Sequence, residues 1–207
     1  MWRNLPPVTK HLIIINIILF VATMANENFM IGTFAMFYPA SQFFRFWQPL
    51  TYMFMHGSFM HIFFNMYSLL LFGSVIERNL GTKKYVLFYF ASGFGAMLLH
   101  LLTIHLFGGP MEKAVVPMLG ASGAIYGLFI GYAMLNPDTV LTLIFPPISL
   151  KAKWMMLIFV GIEILVGVFD TSDGVAHFAH LGGALVGFLL MYFWKKTGRI
   201  WLRDEWV

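Results

Sequence analysis

The chain has 207 residues, 59% of them hydrophobic and only 11% charged, with a mean hydropathy of +0.78. A soluble domain carries about a quarter charged residues, so this composition excludes an ordinary soluble globule and indicates a polytopic membrane protein. Cysteine is absent, which removes disulfides, thiol nucleophiles and thiolate metal sites, and the basic residues lie in short clusters between apolar runs, a membrane pattern rather than a nucleic-acid one.

A helix needs about 20 apolar residues to cross the hydrocarbon core. The first such run, 9–25, has no small-residue cleavage site after it and is expected to be a retained helix, not a signal peptide. Residues 26–55 form a long connection rich in Phe, Tyr and Trp, expected to pack on the helices at the water–lipid interface. Further runs follow at 58–76, 85–107 and 119–135, the last stopped by Asn136-Pro137. Residues 139–150 are apolar but broken by Pro146-Pro147, and are expected to be an interfacial linker. Runs at 153–169 and 176–194 complete an expected all-α bundle of six transmembrane helices, a single membrane domain over 1–207.

The Lys and Arg segregate across these runs. Arg3 and Lys10 precede the first, Arg78, Lys83 and Lys84 follow the second, Lys151 and Lys153 precede the fifth, and Lys195, Lys196, Arg199 and Arg203 follow the sixth. Arg45 and Lys113 alone fall on the opposite side. The positive-inside rule then places both termini in the cytoplasm of a multi-pass cell-membrane protein, and the tail from Lys195 on the cytoplasmic surface.

With that topology the second, fourth and sixth runs all travel inward. His61 and Asn65, Ser122, and His180 then lie within about one helical turn of the same depth, just below the outer surface. One such group is most simply interhelical glue; a set at one depth points to a hydrated site open to the extracytoplasmic side. A serine hydroxyl needs a base to become a nucleophile, and histidine is the usual one. Contact between Ser122 and His180 requires close helices, which Gly123, Gly127 and Gly131 and, opposite, Gly183 and Gly187 permit by their spacing of four. His61 and Asn65 share a helix face and could donate hydrogen bonds to a developing oxyanion, together with the Ser122 backbone N–H. No acidic residue lies near enough in sequence to suggest a third member, so a Ser–His dyad is expected.

The motifs "HGSFMHIFFN" (56–65), "GASGAIYG" (120–127, opening at Gly120) and "AHLGGALVG" (179–187), in that order and on those helices, resemble the rhomboid intramembrane serine proteases over nearly the whole chain. The resemblance implies Ser122 as nucleophile, His180 as general base and acid, and His61 and Asn65 in the oxyanion hole. It also implies that Tyr126 packs against His180 and orients it, and that cleavage needs no metal or cofactor. Substrates would be transmembrane segments of other proteins, met in the lipid bilayer, and the fifth helix with the loop 170–175 would be the gate. His56 is read as structural or as support for the oxyanion hole. The sequence departs from the family pattern at Gln48, where many members carry arginine after the loop tryptophan, here Trp47.

Two other readings stand beside the protease. One is a metal-binding transporter, suggested by His56, His61, His100, His105, His177, His180 and Glu163. The other is a non-catalytic, client-binding relative of the family. His177 rivals His180 as the base. Glu163 is an intramembrane carboxylate with no assigned role, expected to be merely hydrogen-bonded or protonated.

Overall fold

The computed structural model describes residues 4–144, 146–169, 176–198 and 200. The loop 170–175 and the end of the tail lie outside the described residues. Helix α1 spans Pro7–Ala25, α2 Glu27–Phe34 and α3 Gln48–Thr51, followed by a 3-10 turn at Tyr52–Phe54. Helix α4 runs over Phe59–Leu80 with a π turn at Leu69–Gly73, and α5 over Thr82–Phe107. Then come α6 (Pro110–Val115), α7 (Ser122–Leu135), a hairpin of β1 (Val140–Thr142) and β2 (Ser149–Lys151), α8 (Ala152–Phe169) and α9 (His177–Lys196). The protein is an all-α polytopic membrane bundle, apart from that small hairpin.

Helices α1, α4, α5, α8 and α9 are each at least 18 residues long and apolar enough to cross a membrane. Helix α7 has 14 residues, or about 21 Å, against the roughly 30 Å of a bilayer core. It starts three residues later than expected because Gly120 adopts φ +120°, a conformation no helix can contain. Ten of its fourteen residues are buried and its apolar side chains lie on all faces, as expected of a central helix packed against α5 and α9. The serine at its first position is therefore recessed within the bundle.

Close backbone approach builds this centre. A Cβ on Gly183 of α9 would overlap the Gly123 carbonyl oxygen of α7, and one on Gly187 would lie 2.7 Å from the Gly127 Cα. On the α5 side, a Cβ on Gly182 would overlap the Gly95 carbonyl oxygen. The stripe of small residues thus brings three backbones together without intervening side chains.

The far end of α4 is tied down separately. The Glu77 carboxylate accepts the backbone N–H of Val8 at 3.0 Å and of Thr9 at 2.7 Å, and the Thr9 hydroxyl at 2.8 Å. It thereby caps two of the otherwise unpaired N–H groups that open α1. Glycine at 81, with φ +74°, is all that separates α4 from α5.

Residues 26–55 fold onto the helices. Gln48 is fully buried: its Oε1 accepts the N–H of Arg45 at 3.0 Å and of Phe37 at 3.4 Å, while its Nε2 donates to the Phe43 carbonyl at 2.9 Å. Trp47 Nε1 donates to the Thr33 carbonyl at 2.9 Å. Gln48 Nε2 also reaches the Thr33 carbonyl at 3.4 Å; an amide can both donate and accept, so Gln48 holds four backbone groups of the segment at once. The linker expected at 139–150 forms the hairpin, with Asp138 paired to Lys151 at 2.8 Å and to Lys153 at 2.9 Å.

Candidate functional site

Two backbone ties from the 26–55 segment place the turn that precedes Ser122. Met36 and Met118 exchange N–H···O bonds of 2.8 Å in both directions, and the Gly120 N–H donates to the Tyr52 carbonyl at 3.0 Å. Tyr52 is itself anchored to α5 through its hydroxyl, which donates to the Gly93 carbonyl at 2.7 Å. The turn therefore delivers Ser122 at a defined position, as the first residue of α7. A first helical residue has no intrahelical partner for its N–H, so the N–H of Ser122 stands outside the helix ladder.

His180, in the first turn of α9, lies across the glycine contact. Its Nε2 is 2.8 Å from Ser122 Oγ. Its ring stacks on Tyr126, one turn into α7, with centroids 4.4 Å apart and planes 8° from parallel. The rival histidine is not at the serine: His177 Nδ1 lies 2.7 Å from Glu163 Oε2.

Helix α4 contributes the opposite wall. Ser58 caps it by accepting the His61 N–H at 3.2 Å, which sets the first turn. A Cβ on Gly120 would lie 2.7 Å from His61 Nε2 and 3.6 Å from Ser122 Oγ, so glycine at 120 leaves open the space between the two side chains. Asn65, buried one turn deeper, gives one of its amide N–H groups to the His61 carbonyl at 2.9 Å. His56 is fully buried with its ring edge-on to His61, centroids 4.9 Å apart. Burial and the neighbouring His61 push its pKa down to about 3, so it is neutral near pH 7.

Glu163, expected to be merely hydrogen-bonded or protonated, faces the pair. Glu163 of α8 is buried, its Oε1 lies 2.9 Å from His180 Nδ1, and it also accepts the Tyr126 hydroxyl. It stands 17 residues from His180 in the chain, and only the packing of α8 on α7 and α9 brings it in. Its signal in the sequence was an intramembrane acid together with two histidines at i and i+3 on one face. Of the histidines considered as metal ligands, only His177 and His180 converge with an acid among the described residues. His105 instead pairs with the Tyr38 hydroxyl at 2.8 Å.

A serine hydroxyl, an imidazole nitrogen on it and a carboxylate on the other ring nitrogen thus lie in one chain of contacts, an arrangement chemically able to support acyl transfer. The Rhomboid domain model matches residues 43–197, which include all of these side chains. The chain belongs to the rhomboid family. It is 32% identical over 144 residues to the mitochondrial RHOMBOID-like protein 6 of Arabidopsis thaliana, covering 70% of this chain and 42% of that protein. It is 29% identical over 162 residues to the rhomboid protease GlpG of Serratia proteamaculans, covering 77% and 52%. To the rhomboid-type serine protease 2 of Emericella nidulans it is 31% identical over 150 residues, covering 72% and 26%. This rhomboid therefore spans about half or less of the length of these curated relatives.

Proposed function

We propose that this rhomboid is an intramembrane serine endopeptidase that cuts transmembrane segments of other membrane proteins near the extracytoplasmic face. The observation that carries the reading is the 2.8 Å approach of His180 Nε2 to Ser122 Oγ inside an apolar helix bundle. His180 takes the Ser122 proton as the oxygen attacks the scissile carbonyl, and returns it to the leaving amine. The Ser122 N–H, His61 and the second N–H of Asn65 supply hydrogen bonds to the developing oxyanion. Small residues around Ser122 leave room for an extended substrate backbone. His56 supports the His61 ring from behind. The reaction, as read here, uses no metal or cofactor.

The test is labelling of the detergent-purified protein by a serine-directed fluorophosphonate, paired with cleavage of a transmembrane substrate carrying helix-breaking residues. Wild type is expected to label and to cut, in EDTA as well as without it. Ser122→Ala and His180→Ala are expected to lose both activities. Cleavage by Ser122→Ala at the wild-type rate would sink the reading, and substrate binding without cleavage by wild type would favour a client-binding role.

A further inference from the structure

Glu163 is a 6% exposed carboxylate in the middle of a membrane helix, and the function proposed above leaves it without a task. Its surroundings are specific. Oε1 faces His180 Nδ1 at 2.9 Å and the Tyr126 hydroxyl, and Oε2 faces His177 Nδ1 at 2.7 Å. Three groups from two helices thus converge on one acid carried by a third.

Two chemistries fit an acid between two imidazoles. A metal ion is one, since one ligand atom from each of Glu163, His177 and His180 falls within 4.8 Å of the others. A tetrahedral zinc with bonds of about 2.0–2.1 Å would keep its donor atoms roughly 3.3 Å apart. The 2.7 and 2.9 Å separations are shorter than that and have the length of direct hydrogen bonds. The second chemistry, a hydrogen-bond network, accounts for these lengths.

A carboxylate can only accept. His180 Nδ1 must then carry a proton, which leaves the lone pair on Nε2, the nitrogen 2.8 Å from Ser122 Oγ. That is the tautomer a base needs in order to take the serine proton. We propose that Glu163 is the positioning member of a Ser122–His180–Glu163 triad. It fixes the His180 tautomer and ring orientation, and it balances the positive charge that His180 gains when the Ser122 proton moves to Nε2. The proton then passes to the leaving amine, and Glu163 gains and loses none. His177 and Tyr126 occupy its other acceptor positions and hold the carboxylate itself in place. This inference rests on the protease reading.

The experiment compares wild type, Ser122→Ala and Glu163→Gln for fluorophosphonate labelling rate, kcat, KM and thermal unfolding in detergent. Glutamine keeps the shape and an acceptor but not the charge. Glu163→Gln is expected to lower the labelling rate and kcat by at least about 10²-fold while KM stays within about twofold. A Glu163→Gln enzyme with wild-type kcat overturns the inference alone. So does one whose kcat falls only in step with its folded fraction, as plain helix glue would behave. Should that variant fail to fold, ¹⁵N shifts of the His180 ring in wild type decide: an Nδ1–H tautomer supports the triad, and an Nε2–H tautomer overturns it. Labelling that EDTA abolishes and Zn²⁺ restores would assign the cluster to a metal and also overturn it. A wild type that never labels overturns the protease reading and this inference together.

Discussion

Gly120 shows how much can rest on one missing side chain. Its φ of +120° is forbidden to other residues, and its Cβ position is occupied by the edge of His61. Gly120→Ala is therefore expected to move either His61 or the turn that delivers Ser122. Fluorophosphonate labelling should fall by at least about tenfold, since small misplacements of reacting groups carry large costs in rate. The unfolding temperature should change by only a few degrees, because the helices below are untouched. Equal labelling of Gly120→Ala and wild type would show that the turn does not set the serine. Ser122 and His180 were legible in the sequence because each sits in a motif of small residues at a depth fixed by the charge pattern. Glu163 was not. Its meaning lies in contacts 17 and 37 residues away, made by side chains on other helices, and an intramembrane acid in one run with two histidines in another does not by itself say that they meet.

At the scale of the element, the glycine stripe and the loop each hold the serine in place by a different means. Gly183→Ala would drive a methyl into the Gly123 carbonyl, which is backbone and cannot swing aside. The expected result is a parting of α7 and α9, with loss of both thermal stability and labelling. Gly161→Ala, in α8, meets nothing within 4 Å and is the control. It should be neutral or more stable by up to about 1 kcal/mol, the helix-propensity gain. If both substitutions behave alike in thermal unfolding, close packing at Gly183 is not what holds the helices. Gln48 gives the matching argument for the loop. Gln48→Ala leaves the Phe37 and Arg45 N–H groups without their acceptor, and should cost about 1–3 kcal/mol in denaturant unfolding. An unchanged midpoint would mean that water replaces the amide. The six apolar runs announced their helices well, since composition and length suffice for that. The short α2 and α3, the β-hairpin and the late start of α7 did not show, because each depends on a cap, a turn conformation or a tertiary hydrogen bond.

For the whole molecule, the two ends of the bundle carry different chemistry. One end holds the Ser122 cluster, beneath the loop anchored by Gln48. The other holds the Glu77 cap, sixteen residues or about 24 Å along α4 from His61, together with the hairpin residue Lys151 and Lys153 in the first turn of α8. Among the described residues Arg78, Lys83, Lys84, Lys151, Lys153, Lys195 and Lys196 follow or precede helices at the Glu77 end, which the positive-inside rule assigns to the cytoplasm. On that reading the serine opens to the opposite compartment, and the prediction can be tested without disturbing the site. The chain has no cysteine, so single-cysteine variants start from a silent background. Lys113→Cys, partly exposed in α6 ahead of the turn that delivers Ser122, should react with a membrane-impermeant maleimide in intact cells. Lys196→Cys, in the last turn of α9, should react only after the membrane is opened. The reverse pattern would turn the molecule over and place the serine in the cytoplasm. Reaction of both in intact cells would mean that the six helices do not all cross, which would remove the common depth on which the Ser122–His180 pair depends.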